Sequence, residues 1–226
     1  MSRVLLPAAS ADQWQDHLAK PDLHWKAGRS AHALAHAWQA AALSRDGFPD
    51  EVGVVLSQSP ALSGAEALFV LPEHQTPLPG GRAASQTDAL VLARTQDALV
   101  VIGVEGKVTE SFGPTVADWE VGASDGKRER MSFLLEMLGM ASVPGAIRYQ
   151  LLHRAAAALI EARRFHARHA VLLVHSFDPS HTGMADFQAF AALLGADVRP
   201  GSIAAAPDRP DGVTLHLAWA TGTPRV

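Results

Sequence analysis

The sequence predicts an α/β (α+β) protein with a central mixed β-sheet flanked by helices. Two apolar runs, 88–94 and 98–107, are separated by only three residues, which is typical of an antiparallel hairpin. A third apolar run, 170–175, follows a long helical segment, and such a crossover favours a parallel neighbour. Helical patterns lie before and after the hairpin, so helices are expected on both faces of the sheet.

Composition indicates a protein that is not embedded in a membrane. The chain has 226 residues, of which 48% are hydrophobic, and we expect a single domain over 1–226. It has no cysteine, which suits a cytoplasmic protein, and its apolar runs are far shorter than the roughly 20 residues that cross a bilayer. A net charge of −4 argues against a general nucleic-acid coat protein, but it allows an enzyme with a local basic groove.

The first half of the chain is predicted to form helices and then a sheet. Ser10 and Gln13 resemble a capping box for a helix reaching to about residue 19, which Pro21 stops. Ser30 is expected to cap a second helix, with its apolar residues on one face. The further predictions here are a helical turn or two at 50–57, a strand at 67–71, an irregular Pro- and Gly-rich stretch at 72–81, and the hairpin.

The second half alternates helices and strands. A long loop follows the hairpin. The periodicity then predicts helices at 127–140, 148–168 and 184–194, strands at 170–175 and 213–219, and a loose tail after residue 220.

Three charged residues of the hairpin form a candidate site. Side chains alternate along a strand, so Glu105 and Lys107 share one face. If the hairpin folds symmetrically about residues 96 and 97, opposed residue numbers sum to 193, and Asp88 then lies across from Glu105. Two neighbouring carboxylates repel each other unless a cation lies between them, and Mg²⁺ prefers such ligands. The alternative is a cross-strand salt bridge at the sheet end, with two acids and one base.

Asp88, followed after 16 residues by Glu105-Gly106-Lys107 within this order of elements, resembles the PD-(D/E)XK nuclease superfamily, with Thr87 in place of the proline. The resemblance implies a restriction-endonuclease-like core over about 30–176. It also implies an inserted loop and helix at about 112–140 and a C-terminal helix-strand extension over 183–220. The implied activity is phosphodiester hydrolysis that depends on Mg²⁺ (or Mn²⁺), with DNA as the expected nucleic-acid substrate and a homodimer as a possible assembly.

The resemblance also implies roles for individual residues. Asp88 and Glu105 would be metal ligands, and Lys107 would assist the nucleophilic water. Gln150 corresponds to a glutamine that RecB-like members carry at the start of the following helix. The second predicted helix, 30–42, has no carboxylate, so Glu73 is the candidate for a further metal ligand.

Basic residues near these positions are candidates for substrate binding. They are Arg148 and Arg154, which flank Gln150, and Lys127 in the basic run 126–130. For the residues around Gln150, an ordinary solvated helix start remains an equal alternative. Two other functions stay open beside the nuclease: a catalytically inactive binding or interaction module of the same fold, and a small-molecule hydrolase that uses the same metal site.

Overall fold

The central feature of the protein is a six-stranded mixed sheet. A computed structural model describes residues 10–18, 21–207 and 211–224. The strand order is β1-β2-β3-β4-β6-β5, with antiparallel β1-β2-β3 and β5-β6 pairs and parallel β3-β4-β6 pairs. The strands are β1 (Glu66–Thr76), β2 (Ser85–Arg94), β3 (Leu99–Lys107), β4 (His169–Ser176), β5 (Ser202–Ala205) and β6 (Thr214–Thr221).

Helices cover both faces of this sheet. They are a 3₁₀ helix (Ala11–His17), α1 (Pro21–His24), α2 (Ser30–Ala41), α3 (Asp50–Ser57), α4 (Val116–Glu120), α5 (Asp125–Leu138), α6 (Tyr149–Arg164) and α7 (Met184–Leu193). One apolar core lies between the sheet and α5, α6 and α7, and the other lies between the sheet and the 3₁₀ helix, α2 and α3. The predicted mixed sheet with flanking helices is therefore confirmed.

The central strands are apolar along nearly their whole length because both of their faces are covered. Almost every residue of β3 and β4 is buried. Odd-numbered residues of β3 face α6, and even-numbered residues face α2, as the two cores show. Glu105 and Lys107 are thereby carried on the α6 side of the sheet, at the end of a buried strand.

The predicted hairpin register is confirmed. Ala89 pairs with Val104 and Leu90 pairs with Gly103, so each pair sums to 193. The next pair in this series is Asp88 and Glu105. The predicted parallel pairing is also confirmed, because Lys107 of β3 lies beside Ser176 of β4.

Two predictions about strands are wrong. Strand β1 continues through residues 72–76, which were expected to be irregular. Pro72 is tolerated because β1 is an edge strand, and no neighbouring strand on its outer side needs the backbone N–H that proline lacks. The chain also forms β5, which the pattern did not predict, because a four-residue edge strand is too short to show an alternation.

Several predicted helix boundaries are also wrong. Pro21 begins α1 instead of stopping a helix, and Ser30 is the first residue of α2, with Arg29 at the cap position. Helix α5 starts at Asp125 because the Ser124 side chain accepts a hydrogen bond from the Lys127 amide. Helix α6 ends at Arg164, since His166 adopts a left-handed conformation with φ of 53°. The end of the first predicted helix, residue 19, lies outside the described residues.

The segments that follow β3 and β4 belong to the central sheet and to the helical layer that covers it on the α6 side. The expected insertion at 112–140 contains α4 and α5, and α5 packs on α6. The expected extension at 183–220 contains α7, β5 and β6. Strand β6 lies between β4 and β5 and pairs with β4 over its full length.

Candidate acid-base site on the sheet

Three carboxylic acids form a row across strands β1, β2 and β3. Pairs Pro72–Ala89 and His74–Thr87 lie on either side of Glu73 and Asp88, which places these two acids opposite each other. Asp88 is in turn opposite Glu105 by the register of the hairpin. Glu73 has a φ of 52°, an unusual backbone conformation for a residue with a side chain. The row brings together the three residues that were predicted as metal ligands.

The three acids differ in their affinity for protons. Burial, together with the neighbouring Asp88, raises the pKa of Glu73 to about 9. Burial and the charge of Glu105 raise the pKa of Asp88 to about 7. Burial acts in the same direction on Glu105, but Arg154 and Lys107 outweigh it and lower the pKa of Glu105 to about 2. At neutral pH, Glu105 is thus the firmly ionised member of the row, while Glu73 is protonated.

Both carboxylate oxygens of Glu105 are hydrogen-bonded. Lys107 Nζ donates to Oε1 over 2.7 Å, and Gln150 Nε2 donates to the same oxygen over 2.8 Å. Arg154 Nε donates to Oε2 over 2.6 Å. Gln150 also accepts a hydrogen bond from Lys107 Nζ, at 3.3 Å. The predicted Gln150 therefore joins the site through both ends of its amide.

Helix α6 delivers two of these partners together. Gln150 and Arg154 are four residues apart, so they lie on the same face of α6, one turn from each other. The alanine-rich helix packs closely against β3 and β4 and also contacts α5, so most of its residues are buried. The Arg154 side chain is only 9% exposed, which leaves its charge dependent on the acids around it.

A cavity of about 420 Å³ opens over the row of acids. One carboxylate oxygen of Asp88, Oδ2, accepts a hydrogen bond from the Gly106 amide at 2.8 Å. The remaining wall comes from the start of α2 and from Glu110, which accepts hydrogen bonds from the amides of Ser30 and Val108. The cavity is lined by Leu18, Arg29, Ser30, Ala31, Glu73, Gln86, Asp88, Glu105, Lys107, Glu110 and Arg154.

A second cavity of about 410 Å³ adjoins the first. Gln86, Lys107 and Arg154 line both cavities and so form the boundary between them. His153 lines the second cavity; burial lowers its pKa to about 3, so its ring is neutral. The two cavities provide a polar depression that is wider than the row of acids alone.

The other two basic residues predicted to bind substrate have partners outside the cavities. Arg148 donates through Nε to Asp186 over 2.9 Å and through NH1 to the Gly113 carbonyl. Lys127 Nζ donates to the Trp119 carbonyl over 2.5 Å and lies 5.0 Å from the centre of the Trp119 ring. Arg148 and Lys127 therefore anchor the segment around α4, and neither lines the two cavities.

Two residues of the site were missed in the sequence. Gln86 donates to Glu73 Oε2 over 2.7 Å, and Glu110 caps the start of α2 inside the first cavity. Gln86 lies two positions before Asp88 and so shares its face, but β2 was predicted to start only at Asp88. No pattern in the sequence marked Glu110, because its role arises from the approach of α2.

The donor set is chemically suited to a hard divalent cation. Glu73, Asp88 and Glu105 provide carboxylate oxygens, the ligands that Mg²⁺ prefers. With Glu110, the acids that line the cavity number four, against three basic residues, Arg29, Lys107 and Arg154. Among the described residues, no three acidic or histidine side chains are already arranged as a metal-binding group. The row therefore offers candidate ligands that are not preassembled as a site of three.

A larger cavity, of about 630 Å³, lies apart from the row, between α5, α6 and the end of α7. Two of its charged residues, Arg163 and Asp211, form an ion pair of 2.5 Å. We therefore place the candidate chemistry at the row of acids, where three carboxylic acids lie close together and the ion pairs with Lys107 and Arg154 are made by Glu105.

The fold and this site define an α+β protein with a buried acid-base cluster at one end of a mixed sheet. The chain belongs to the family described as "Domain of unknown function (DUF6946)", whose profile matches residues 7–224. No curated protein and no solved structure matches it. None of the helices in the described part of the chain is both long and apolar enough to cross a membrane.

Proposed function

We propose that the protein is a metal-dependent nuclease that hydrolyses phosphodiester bonds, with DNA as the first candidate substrate, and that it is related to the PD-(D/E)XK superfamily. The observation that carries this proposal is the convergence of Asp88, Glu105 and Lys107 on one open cavity, with Gln150 hydrogen-bonded to Glu105 and Lys107 from the adjoining cavity. The resemblance rested on these same residues. A surface salt bridge would need neither a third acid nor a polar cavity above it.

Each residue has a role that follows from its position. Asp88 and Glu105, with Glu73, would hold Mg²⁺ or Mn²⁺, and a bound divalent cation supplies charge stabilisation to a phosphoryl oxygen and favours ionisation of water. Lys107 lies at the border of the cavity, where its ammonium can stabilise the negative charge that develops on the phosphoryl group. Gln150 holds Lys107 and Glu105 in fixed relative positions.

Cleavage assays test this proposal directly. Labelled single- and double-stranded DNA and RNA are incubated with the protein in Mg²⁺ or Mn²⁺, and product formation is measured. We expect cleavage that EDTA abolishes and that Glu105→Gln and Lys107→Met each reduce at least about 100-fold, because each removes charge at the reacting group.

Two exposed residues outside the cavities provide matched controls for these substitutions. Glu120→Gln and Lys26→Met make the same chemical changes and should leave the rate within about twofold of wild type. Cleavage that survives Glu105→Gln and Lys107→Met would assign the activity to another site or to a contaminant.

A second candidate function is a catalytically inactive nucleic-acid-binding or interaction module of the same fold. It is favoured by the three hydrogen bonds that Glu105 accepts from protein groups, which fill both lone pairs of Oε1 and one of the two on Oε2. Calorimetry would distinguish the two functions. The binding module predicts retained affinity for nucleic acid, together with no heat of Mn²⁺ binding at millimolar concentrations.

A further inference from the structure

We infer that Arg154 is an internal substitute for a divalent cation. It would neutralise the row of acids while no metal is bound and leave Glu105 when the carboxylates take up Mg²⁺ or Mn²⁺. This inference rests on the proposed function and assigns Arg154 a regulatory role in metal binding, in addition to the substrate contact expected from the sequence.

A metal ion and Arg154 would compete for the same oxygen of Glu105. Lys107 and Gln150 both donate to Oε1 and use its two lone pairs, whereas Arg154 donates to Oε2 at 2.6 Å and uses one of the two there. A divalent cation needs direct contact with carboxylate oxygens, at about 2.1 Å for Mg²⁺. A cation on the remaining lone pair of Oε2 would lie beside the guanidinium, and the repulsion between the two positive charges favours the departure of Arg154.

Of the three donors to Glu105, Arg154 is the one that can leave. Lys107 is held by Gln150 as well as Glu105, and its ammonium lies 4.8 Å from the centre of the buried Phe112 ring. Apart from Glu105, Arg154 has a single hydrogen-bond partner among the described residues, Ser85 Oγ, at the longer distance of 3.2 Å. Loss of Lys107 would also remove the group proposed to act on the phosphate.

Arg154 also has space to move. Its side chain lines both the cavity above the acids and the adjoining cavity of about 410 Å³. The guanidinium can thus turn from Glu105 into the second cavity without crossing the core. There it would meet Gln86, Gln150 and the neutral His153, and it would be placed to contact a bound phosphate.

Arg154 interacts electrostatically with all three acids of the row, not with Glu105 alone. A positive charge shared by several carboxylates offsets their negative charge as a bound metal ion would. Arg29, which also lines the cavity, is exposed. Without Arg154, Lys107 would therefore be the one buried cation that the described part of the chain places beside these acids, and so little compensation is costly at this depth.

The test compares Mn²⁺ affinity, measured by calorimetry, in wild type, Arg154→Met, Arg154→Lys and Glu105→Gln. Because Arg154→Met removes the competing cation, we expect it to bind Mn²⁺ at least about tenfold more tightly than wild type. Arg154→Lys should lie between the two, and Glu105→Gln should bind more weakly than wild type. Arg164→Met, the same change on an exposed arginine of α6 that pairs with Glu161, should leave the affinity unchanged.

Two outcomes separate this inference from the proposed function. If Glu105→Gln abolishes Mn²⁺ binding while Arg154→Met leaves it at the wild-type value or weakens it, the metal site stands and the inference is overturned. If wild type and all variants fail to bind Mn²⁺, both the proposed function and the inference are overturned.

A structure of the wild-type protein with Mn²⁺ bound would show directly whether Arg154 leaves Glu105. This experiment needs no substitution, so it also tests the inference if the variants do not fold. The inference requires that Arg154 Nε has left Glu105 Oε2 and that the guanidinium lies in the second cavity. Arg154 still hydrogen-bonded to Glu105 beside a bound Mn²⁺ would contradict it.

Discussion

Asp88 and Glu105 carry the same functional group on neighbouring strands, but their surroundings push their pKa values in opposite directions. Glu105 has Arg154 and Lys107 as direct partners, which hold its pKa at about 2. Within the described part of the chain, the Gly106 amide is the one hydrogen-bond donor to Asp88, and burial beside Glu105 raises the pKa of Asp88 to about 7. Separated pKa values in one cavity are typical of functional sites, and they make the stability of the protein depend on pH.

The raised pKa of Asp88 predicts that this carboxyl group lowers the stability of the metal-free protein as pH rises from about 5 to about 8. In this range the folded state keeps the proton of Asp88 while the unfolded chain, whose Asp88 ionises near 4, has lost it, so the contribution of Asp88 to the free energy of unfolding falls with pH. The Asp88→Asn variant should lack this decrease in the free energy of unfolding, which is on the order of 2 kcal/mol between pH 5 and pH 8. His153, whose pKa is lowered by burial, contributes with the opposite sign, so the effect of Asp88 is measured as the difference between wild type and Asp88→Asn. Urea denaturation at several pH values measures this.

The same experiment has an internal control. Asp125→Asn, at an exposed position on α5, should follow the wild-type profile. An Asp88→Asn variant whose pH profile of stability runs parallel to that of wild type would show that Asp88 does not titrate in this range.

At the scale of elements, the site depends on how β1 is held. Glu73 adopts a left-handed backbone conformation within β1, yet pairs on both sides of it, Pro72–Ala89 and His74–Thr87, keep the same register. The strand therefore imposes a conformation that costs about 1 kcal/mol or more for a residue with a Cβ. Such strain is common where a side chain must point into a functional site.

This strain predicts an unusual order of stability at position 73. Glu73→Gly should be more stable than Glu73→Ala by about 1 kcal/mol, because glycine adopts a positive φ without steric cost. At Glu66, which starts the same strand without a positive φ, alanine should be the more stable replacement. Thermal or urea unfolding of the four variants measures these differences in stability. If the alanine variant is the more stable one at both positions, the backbone at Glu73 is not strained.

At the scale of the whole molecule, the C-terminal segment contributes to the same core as α6 and α7. Trp219 of β6 is fully buried and lies 5.6 Å from the Phe187 ring of α7, measured between ring centroids. Strand β6 pairs with β4 from Thr214 to Thr221. We therefore expect the chain to unfold as one unit rather than as a core with a separable extension.

Substitutions of Trp219 test this expectation. Trp219→Ala should lower the free energy of unfolding by about 3–5 kcal/mol, since it leaves a cavity in the shared core. Trp219→Phe should cost about 1 kcal/mol, because it keeps most of the ring and removes a buried indole N–H that has no hydrogen-bond partner in the described structure. Val121→Ala, at an exposed site, should have little effect.

Circular dichroism and tryptophan fluorescence should report the same unfolding transition in wild type and in these variants. Two separated transitions would contradict the single domain predicted over residues 1–226.

The sequence by itself determined the hairpin and its register, because apolar runs joined by three residues leave few ways to pair. It thereby determined that Asp88 opposes Glu105 and that Glu105 and Lys107 share a face. Periodicity also indicated α6, on which Gln150 and Arg154 lie one turn apart. These are properties of neighbouring residues along one or two elements, which a pattern can express.

The pairing of the charged groups became clear only from the packing of the elements. Arg148 is nearer to Gln150 in the chain than Arg154 is, but Arg154 faces Glu105 whereas Arg148 faces Asp186. Glu110 lines the cavity because the start of α2 lies close to it. Gln86 lines the cavity because β2 starts at Ser85, three residues earlier than predicted. Such contacts depend on distances between elements remote in the chain, and burial at those contacts, rather than residue type, separates the pKa of Asp88 from that of Glu105.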